Sequence, residues 1–174
     1  MNGNMTEERN AAVRAAERQF MITRVFDAPP EAVFKAWTEP ERVMRWWGPE
    51  GFSTPFCTID LRPEGVFHYC LRSPEGKDYW GKGTYREVDP PRRLVYADSF
   101  SDETGSFVPP SKYRMDPEWP DETLITVTFE DRGGKTRVTI DGGVPEALAK
   151  RQLADRGWSE SLDCLAEYLA AGEK

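Results

Sequence analysis

The segment after Pro145 constrains the fold more than any other part of this chain. It carries strong helix formers up to Ala171, and Trp158, Leu162, Leu165 and Leu169 fall at i, i+4, i+7 and i+11, one apolar stripe along a long amphipathic helix. Such a stripe has to be buried against a second layer of structure. Followed backwards at roughly 100° per residue, it runs through Ala154, Arg151 and Ala147, which are small or polar. The helix is therefore expected to pack through its C-terminal half and to leave room beside its N-terminal half. Trp158 is its anchor, worth about 3–5 kcal/mol on truncation to Ala if the ring is buried. Gly157, mid-helix, costs on the order of 1 kcal/mol relative to Ala and marks a bend or a close approach.

The second layer is legible upstream. Phe20, Ile22, Arg24 and Phe26 alternate with Met21, Thr23 and Val25 as in a strand that Asp27 and Pro29-Pro30 stop. Val33, Phe34 and Trp37 then follow helical spacing, with Pro30 in the first turn. Thr38-Glu39-Pro40-Glu41 has the form of a capping box for a second short helix that runs through Val43, Trp46 and Trp47 to Gly48-Pro49. From Phe52 to Phe129 alternating apolar residues are broken by short turns such as Pro63-Glu64-Gly65 and Ser73-Pro74-Glu75-Gly76, so neighbouring strands are antiparallel. Phe67, Tyr69 and Leu71 are placed inward with Val138 and Ile140, and His68, Cys70 and Arg72 outward. Thr123–Glu130 and Lys135–Asp141 flank Asp131-Arg132-Gly133-Gly134, a tight hairpin. The fold class is α+β: a curved antiparallel sheet around one long C-terminal helix, with two short helices after the first strand. Residues 1–17 read as a flexible extension and 18–174 as a single domain.

Composition removes several functions. With 23 Lys and Arg against 30 Asp and Glu, a net charge of -7 and no basic run, neither nucleic acid nor an anionic membrane surface is an expected partner. No apolar stretch approaches the roughly 20 residues that cross a bilayer. Cys57, Cys70 and Cys164 are odd in number, lack CxxC spacing and follow no signal peptide, which points to reduced thiols and a cytoplasmic protein. One histidine and three scattered cysteines make no metal site, and no cofactor is expected. A catalytic triad would need His68, on the outward face, and there is no G-x-S-x-G elbow. Gly81-Lys82-Gly83 opens no helix and reads as strand glycines.

Two features remain for chemistry. Residues 101–121 are too long for a hairpin loop, yet carry Phe107, Tyr113, Met115 and Trp119, so this stretch is either a packed Ω-loop or a lid over an apolar site. Asp98 shares a strand face with Leu94, Tyr96 and Phe100. If that face is inward, Asp98 is a carboxylate among aromatics and a candidate acid or base, with Arg151 as its candidate partner; if outward, it is merely solvated.

The runs Ile22-Thr23-Arg24-Val25-Phe26-Asp27-Ala28-Pro29, Val33-Phe34-Lys35-Ala36-Trp37, Trp46-Trp47-Gly48-Pro49, Gly51-Phe52, Ile59-Asp60-Leu61-Arg62-Pro63, Pro90-Pro91-Arg92-Arg93-Leu94 and Gly157-Trp158-Ser159-Glu160-Ser161-Leu162 resemble the Aha1-like branch of the START-like (SRPBCC) helix-grip superfamily over roughly residues 18–171. The resemblance implies a Bet v 1-like sheet wrapped around the C-terminal helix, with a hydrophobic cavity used elsewhere for lipids and polyketides. The family name refers to activation of the Hsp90 chaperone ATPase, but the eukaryotic activators add a separate chaperone-binding domain that this chain is too short to supply, so a chaperone partner is not carried over. The leading expectation is a binder of a small hydrophobic molecule, with Phe67, Tyr69, Tyr96, Asp98, Phe100, Tyr113, Trp119, Arg151 and Trp158 around it. The alternatives are a cyclase- or hydrolase-type enzyme using Asp98, or a protein-interaction module; a homodimer is compatible with either.

Overall fold

The computed structural model describes residues 5–9 and 18–172, so the extension expected over 1–17 lies largely outside the described residues. The elements run β1 (Gln19–Phe26), α1 (Pro30–Thr38), α2 (Pro40–Val43), β2 (Ser53–Ile59), β3 (Val66–Arg72), β4 (Asp78–Asp89), β5 (Arg93–Ser101), a 3₁₀ turn (Pro110–Tyr113), β6 (Thr123–Arg132), β7 (Lys135–Pro145), α3 (Glu146–Arg151) and α4 (Ala154–Ala170). The strands form one antiparallel sheet in the order β1-β7-β6-β5-β4-β3-β2. Every link from β2 to β7 joins sheet neighbours, as short connections dictate, while α1 and α2 carry the chain from one edge strand to the other. Gly133 and Gly134 both have positive φ, 68° and 91°, so β6 and β7 meet through a two-residue turn tighter than the four-residue link read from sequence.

Register shifts in β1, β2 and β4 bend the sheet around α1 and α4. Phe67, Val138 and Ile140, placed inward by alternation, are nearly inaccessible, and so are Tyr96 and Val127. From the helical side come Val33, Trp37, Leu162 and Leu165, each at most 1% exposed. Trp37 is the hub, with its ring edge-on to Trp46, Trp47 and Phe129 and stacked on Trp158 at 6.5 Å. Trp46 and Trp47 thus wedge the short helices against the core, and Trp46 Nε1 donates to the Ala36 carbonyl at 2.8 Å.

Two local expectations fail. Thr38 does not cap α2: its hydroxyl donates back to the Phe34 carbonyl at 2.9 Å, inside α1, and α2 begins without a side-chain cap. The helix after Pro145 is not continuous. α3 ends at Arg151, and Leu153 takes a left-handed conformation at φ 59° before α4 starts. The stripe read backwards from Trp158 therefore loses its phase at Leu153. Leu148 and Ala149 are buried on α3, whereas Ala147 and Arg151 are exposed.

Candidate functional site

The cavity between sheet and helix begins with what is missing from β4. Alternation puts Tyr79, Gly81, Gly83 and Tyr85 on the inner face. A Cβ at Gly81 would lie 2.5 Å from the Tyr69 hydroxyl, and one at Gly83 would lie 2.7 Å from the Tyr96 ring. The two glycines clear a trough across β4. Tyr69 from β3 and Tyr96 from β5 lie over it, and Tyr69 reaches two strands across to donate to Asp98 Oδ1 at 3.3 Å. No side chain on β4 separates them.

Above this floor is a cavity of about 400 Å³, within the roughly 300–1,000 Å³ usual for small-molecule sites. Tyr69, Tyr79, Tyr96, Asp98 and Phe100 line it from the sheet, Ala154, Gly157, Trp158 and Ser161 from α4, Met115 and Trp119 from the long loop, and Trp47, Pro49 and Phe52 from the segment after α2. The room comes from small residues on the helix, at Ala154, Gly157 and Ser161. A Cβ on Gly157 would meet only Pro49 Cγ, at 3.8 Å, an ordinary contact. Neither a bend nor a steric demand accounts for this glycine; it faces the cavity. Gly157→Ala is accordingly expected to stabilise the protein by about 0.5–1 kcal/mol through helix propensity. Urea unfolding would check this, and a loss of stability would mean that the backbone there has no room to spare.

Asp98 is the only residue with a charged side chain among those lining the cavity. Burial raises its carboxyl from the usual carboxylate range to about 7, with the Tyr69 hydrogen bond opposing the rise. Burial, and after it the charge of Asp98, push the Tyr69 and Tyr96 phenols well above their ordinary range. The thiols are poor nucleophiles: burial, with Glu41 adding to it, pushes Cys57 up to about 12, and burial carries Cys70 to about 11. Among the described residues there is no group of three or more His, Cys, Asp or Glu that could hold a metal ion.

Of the residues singled out from sequence, Tyr69, Tyr96, Asp98, Phe100, Trp119 and Trp158 meet at the cavity. Three do not. Phe67 is 1% exposed and lies in the core, edge-on to the Trp47 and Tyr96 rings. Tyr113 stands one layer behind, against Phe100, its hydroxyl donating to the Ser101 carbonyl at 2.8 Å. Arg151 points outward from α3 and pairs with Asp116 at 2.7 Å and Glu118 at 2.8 Å, not with Asp98. With the Gln152 side chain accepting from the Asp116 backbone N–H at 2.6 Å, these bonds tie the loop to the helix break and hold Met115 and Trp119 over the cavity. His68 faces outward as expected but is covered: it stacks near Trp80 and Phe56, and its Nε2 lies 3.2 Å from the Asp102 carbonyl.

Sequence reasoning missed Tyr79, Met115 as a lining residue, Gln152 and the Trp47–Phe52 wall. A signal existed for the floor, since two glycines at alternate inward positions of a strand flanked by tyrosines announce a trough.

A seven-stranded sheet gripping a C-terminal helix, with an apolar cavity between them, defines a helix-grip protein of the START-like kind. The family described as Activator of Hsp90 ATPase homolog 1-like protein matches residues 27–170, and the chain belongs to that family. A crystal structure of a protein from Nitrosomonas europaea is similar, with TM-score 0.69, 25% identity, and coverage of 90% of this chain and 96% of that one. A second, from Mycobacterium smegmatis, has TM-score 0.68 and 27% identity over 87% of each chain. The AHSA1 protein from Silicibacter pomeroyi shares the fold at TM-score 0.67 and 23% identity, covering 90% of this chain and 100% of that one. No curated relative matches the sequence. Among the described residues no helix is long and apolar enough to cross a membrane.

Proposed function

We propose that this protein binds a small, largely apolar molecule in the cavity between the sheet and α4. One observation carries the reading: α4 places Ala154, Gly157 and Ser161 along the cavity, giving up helix stability and core packing that larger residues would supply. The aromatic walls and single polar focus at Asp98 are what sites for small organic ligands commonly present. Thermal unfolding against a panel of apolar molecules tests it. A ligand at a hundred times its Kd should raise the Tm by about 5–10 °C. Gly157→Leu, which fills the space, should remove that shift while leaving the protein folded. No shift with any compound, together with no copurified molecule in native mass spectrometry, would sink the proposal.

An enzymatic reading, a cyclase or hydrolase type acting on a hydrophobic substrate, draws on the same residue. A carboxyl that titrates at about 7 beside a phenol is placed for proton transfer at neutral pH. It is the weaker reading, because the Ser161 hydroxyl at the cavity wall donates to the Gly157 carbonyl rather than to a base. The interaction-module reading draws on Phe107, 49% exposed, and on Leu124 and Leu153, 53% and 60% exposed beside the long loop, while Tyr113, Met115 and Trp119 are partly buried.

A further inference from the structure

The cavity contains an ionisable carboxyl with no cationic partner. Asp98 Oδ1 accepts from Tyr69, while no donor among the described residues reaches Oδ2. No cationic side chain lines the cavity, and no charged group acts on the carboxyl. From the surrounding elements Asp98 is faced by the phenols of Tyr69, Tyr79 and Tyr96 and, from the helix side, by Gln152 and Trp158. Arg151, the partner expected from sequence, is spent on Asp116 and Glu118. A buried carboxylate is normally paired, and the electron-rich faces of Tyr and Trp attract cations. Lys77, outside the residues that line the cavity, already lies over the Tyr79 ring, 5.1 Å from its centroid.

We infer that the ligand of this cavity carries a positively charged nitrogen, a protonated or quaternary amine, seated against Asp98 with its apolar body between the aromatic walls. This rests on the cavity being a binding site, and names the chemical class that the site prefers. An acid is disfavoured because it would lie beside Asp98 with no cation to receive it. A carbonyl compound would need Asp98 protonated, and so would bind more tightly as pH falls; a cation needs Asp98 ionised and binds more tightly as pH rises.

Calorimetric titration with a matched series separates these cases: 4-phenylbutylamine, its permanently charged trimethylammonium analogue, the neutral hydrocarbon pentylbenzene and the anion 5-phenylpentanoate. At pH 8 the two cations should bind roughly tenfold or more tightly than pentylbenzene. The trimethylammonium compound, which cannot itself titrate, should gain about tenfold in affinity between pH 6 and pH 8, because the carboxyl titrates at about 7. Asp98→Asn should abolish the preference for cations over pentylbenzene. Pentylbenzene or the anion binding at least as well as the cations would overturn the inference and leave the binding proposal standing. So would a cation preference that survives in Asp98→Asn. If that variant does not fold, a trimethylammonium affinity independent of pH in the native protein overturns it equally. Binding by none of the four, with no apolar compound stabilising the protein, would remove the binding proposal and this inference with it.

Discussion

Asp98→Asn is expected to stabilise the unliganded protein at pH 8 by roughly 2–4 kcal/mol and to change it little at pH 4. In the unfolded chain this carboxyl releases its proton near 3.8, and in the native protein near 7. Between those values the native state holds a proton that the unfolded state has lost. The group's contribution to stability is therefore fully present below about 3.8, shrinks as pH rises, and is gone once pH passes about 7. Asn keeps the size and an acceptor for the Tyr69 hydroxyl but cannot ionise, so the advantage of the variant should grow across that window and then level off. Because the carboxylate opens onto a cavity, the lower end of the range is the better expectation. Urea unfolding of both proteins from pH 4 to pH 8 would decide the matter: a constant difference across that range would show that Asp98 is not desolvated in the native state. A ligand that supplies a cation would reverse the sign at pH 8, since Asp98 then has a partner that Asn lacks.

Trp37→Ala is expected to cost about 3–5 kcal/mol, enough to leave the protein barely folded. The ring is 1% exposed and touches four other aromatic rings, which come from the turn after α2, from β6 and from α4. No small shift of one element can close the resulting hole. Trp158→Ala should cost less than the full value expected of a buried anchor. Its ring is only partly buried, with one side on the Trp37 and Trp47 rings and the other on the cavity. Chemical denaturation of both variants tests the ranking; equal losses would mean that the cavity wall is packed as tightly as the core.

The relation between Trp37 and Trp158 shows where the sequence sufficed. Period-2 alternation on β1, β3 and β5 to β7 and the spacing of Trp158, Leu162, Leu165 and Leu169 are local patterns. Each identifies a buried face without reference to the partner layer. Those faces, the short turns and the helix formers after Pro145 together determine an antiparallel sheet closed on a C-terminal helix. The alternation on β5 groups Asp98 with Leu94, Tyr96 and Phe100 but leaves open which face turns inward; Val95 and Ala97 on the other face are buried too, so only the tertiary structure places Asp98 at the cavity.

What the sequence could not settle was which inward residues touch a cavity and which touch one another. Phe67 and Tyr69 carry the same local signal, both face a glycine of β4 and both pack edge-on to Trp47, yet Phe67 is sealed in the core and Tyr69 lines the cavity. Arg151 left the site for a reason of phase: one left-handed residue, Leu153, turns α3 away from α4, and no pattern in the side chains marks it. The long C-terminal helix was thus readable as the element that closes the sheet. Its break, and the meeting of Tyr69 with Asp98 across a strand made bare by two glycines, were decided by the tertiary structure, because both depend on where elements distant in sequence come to rest.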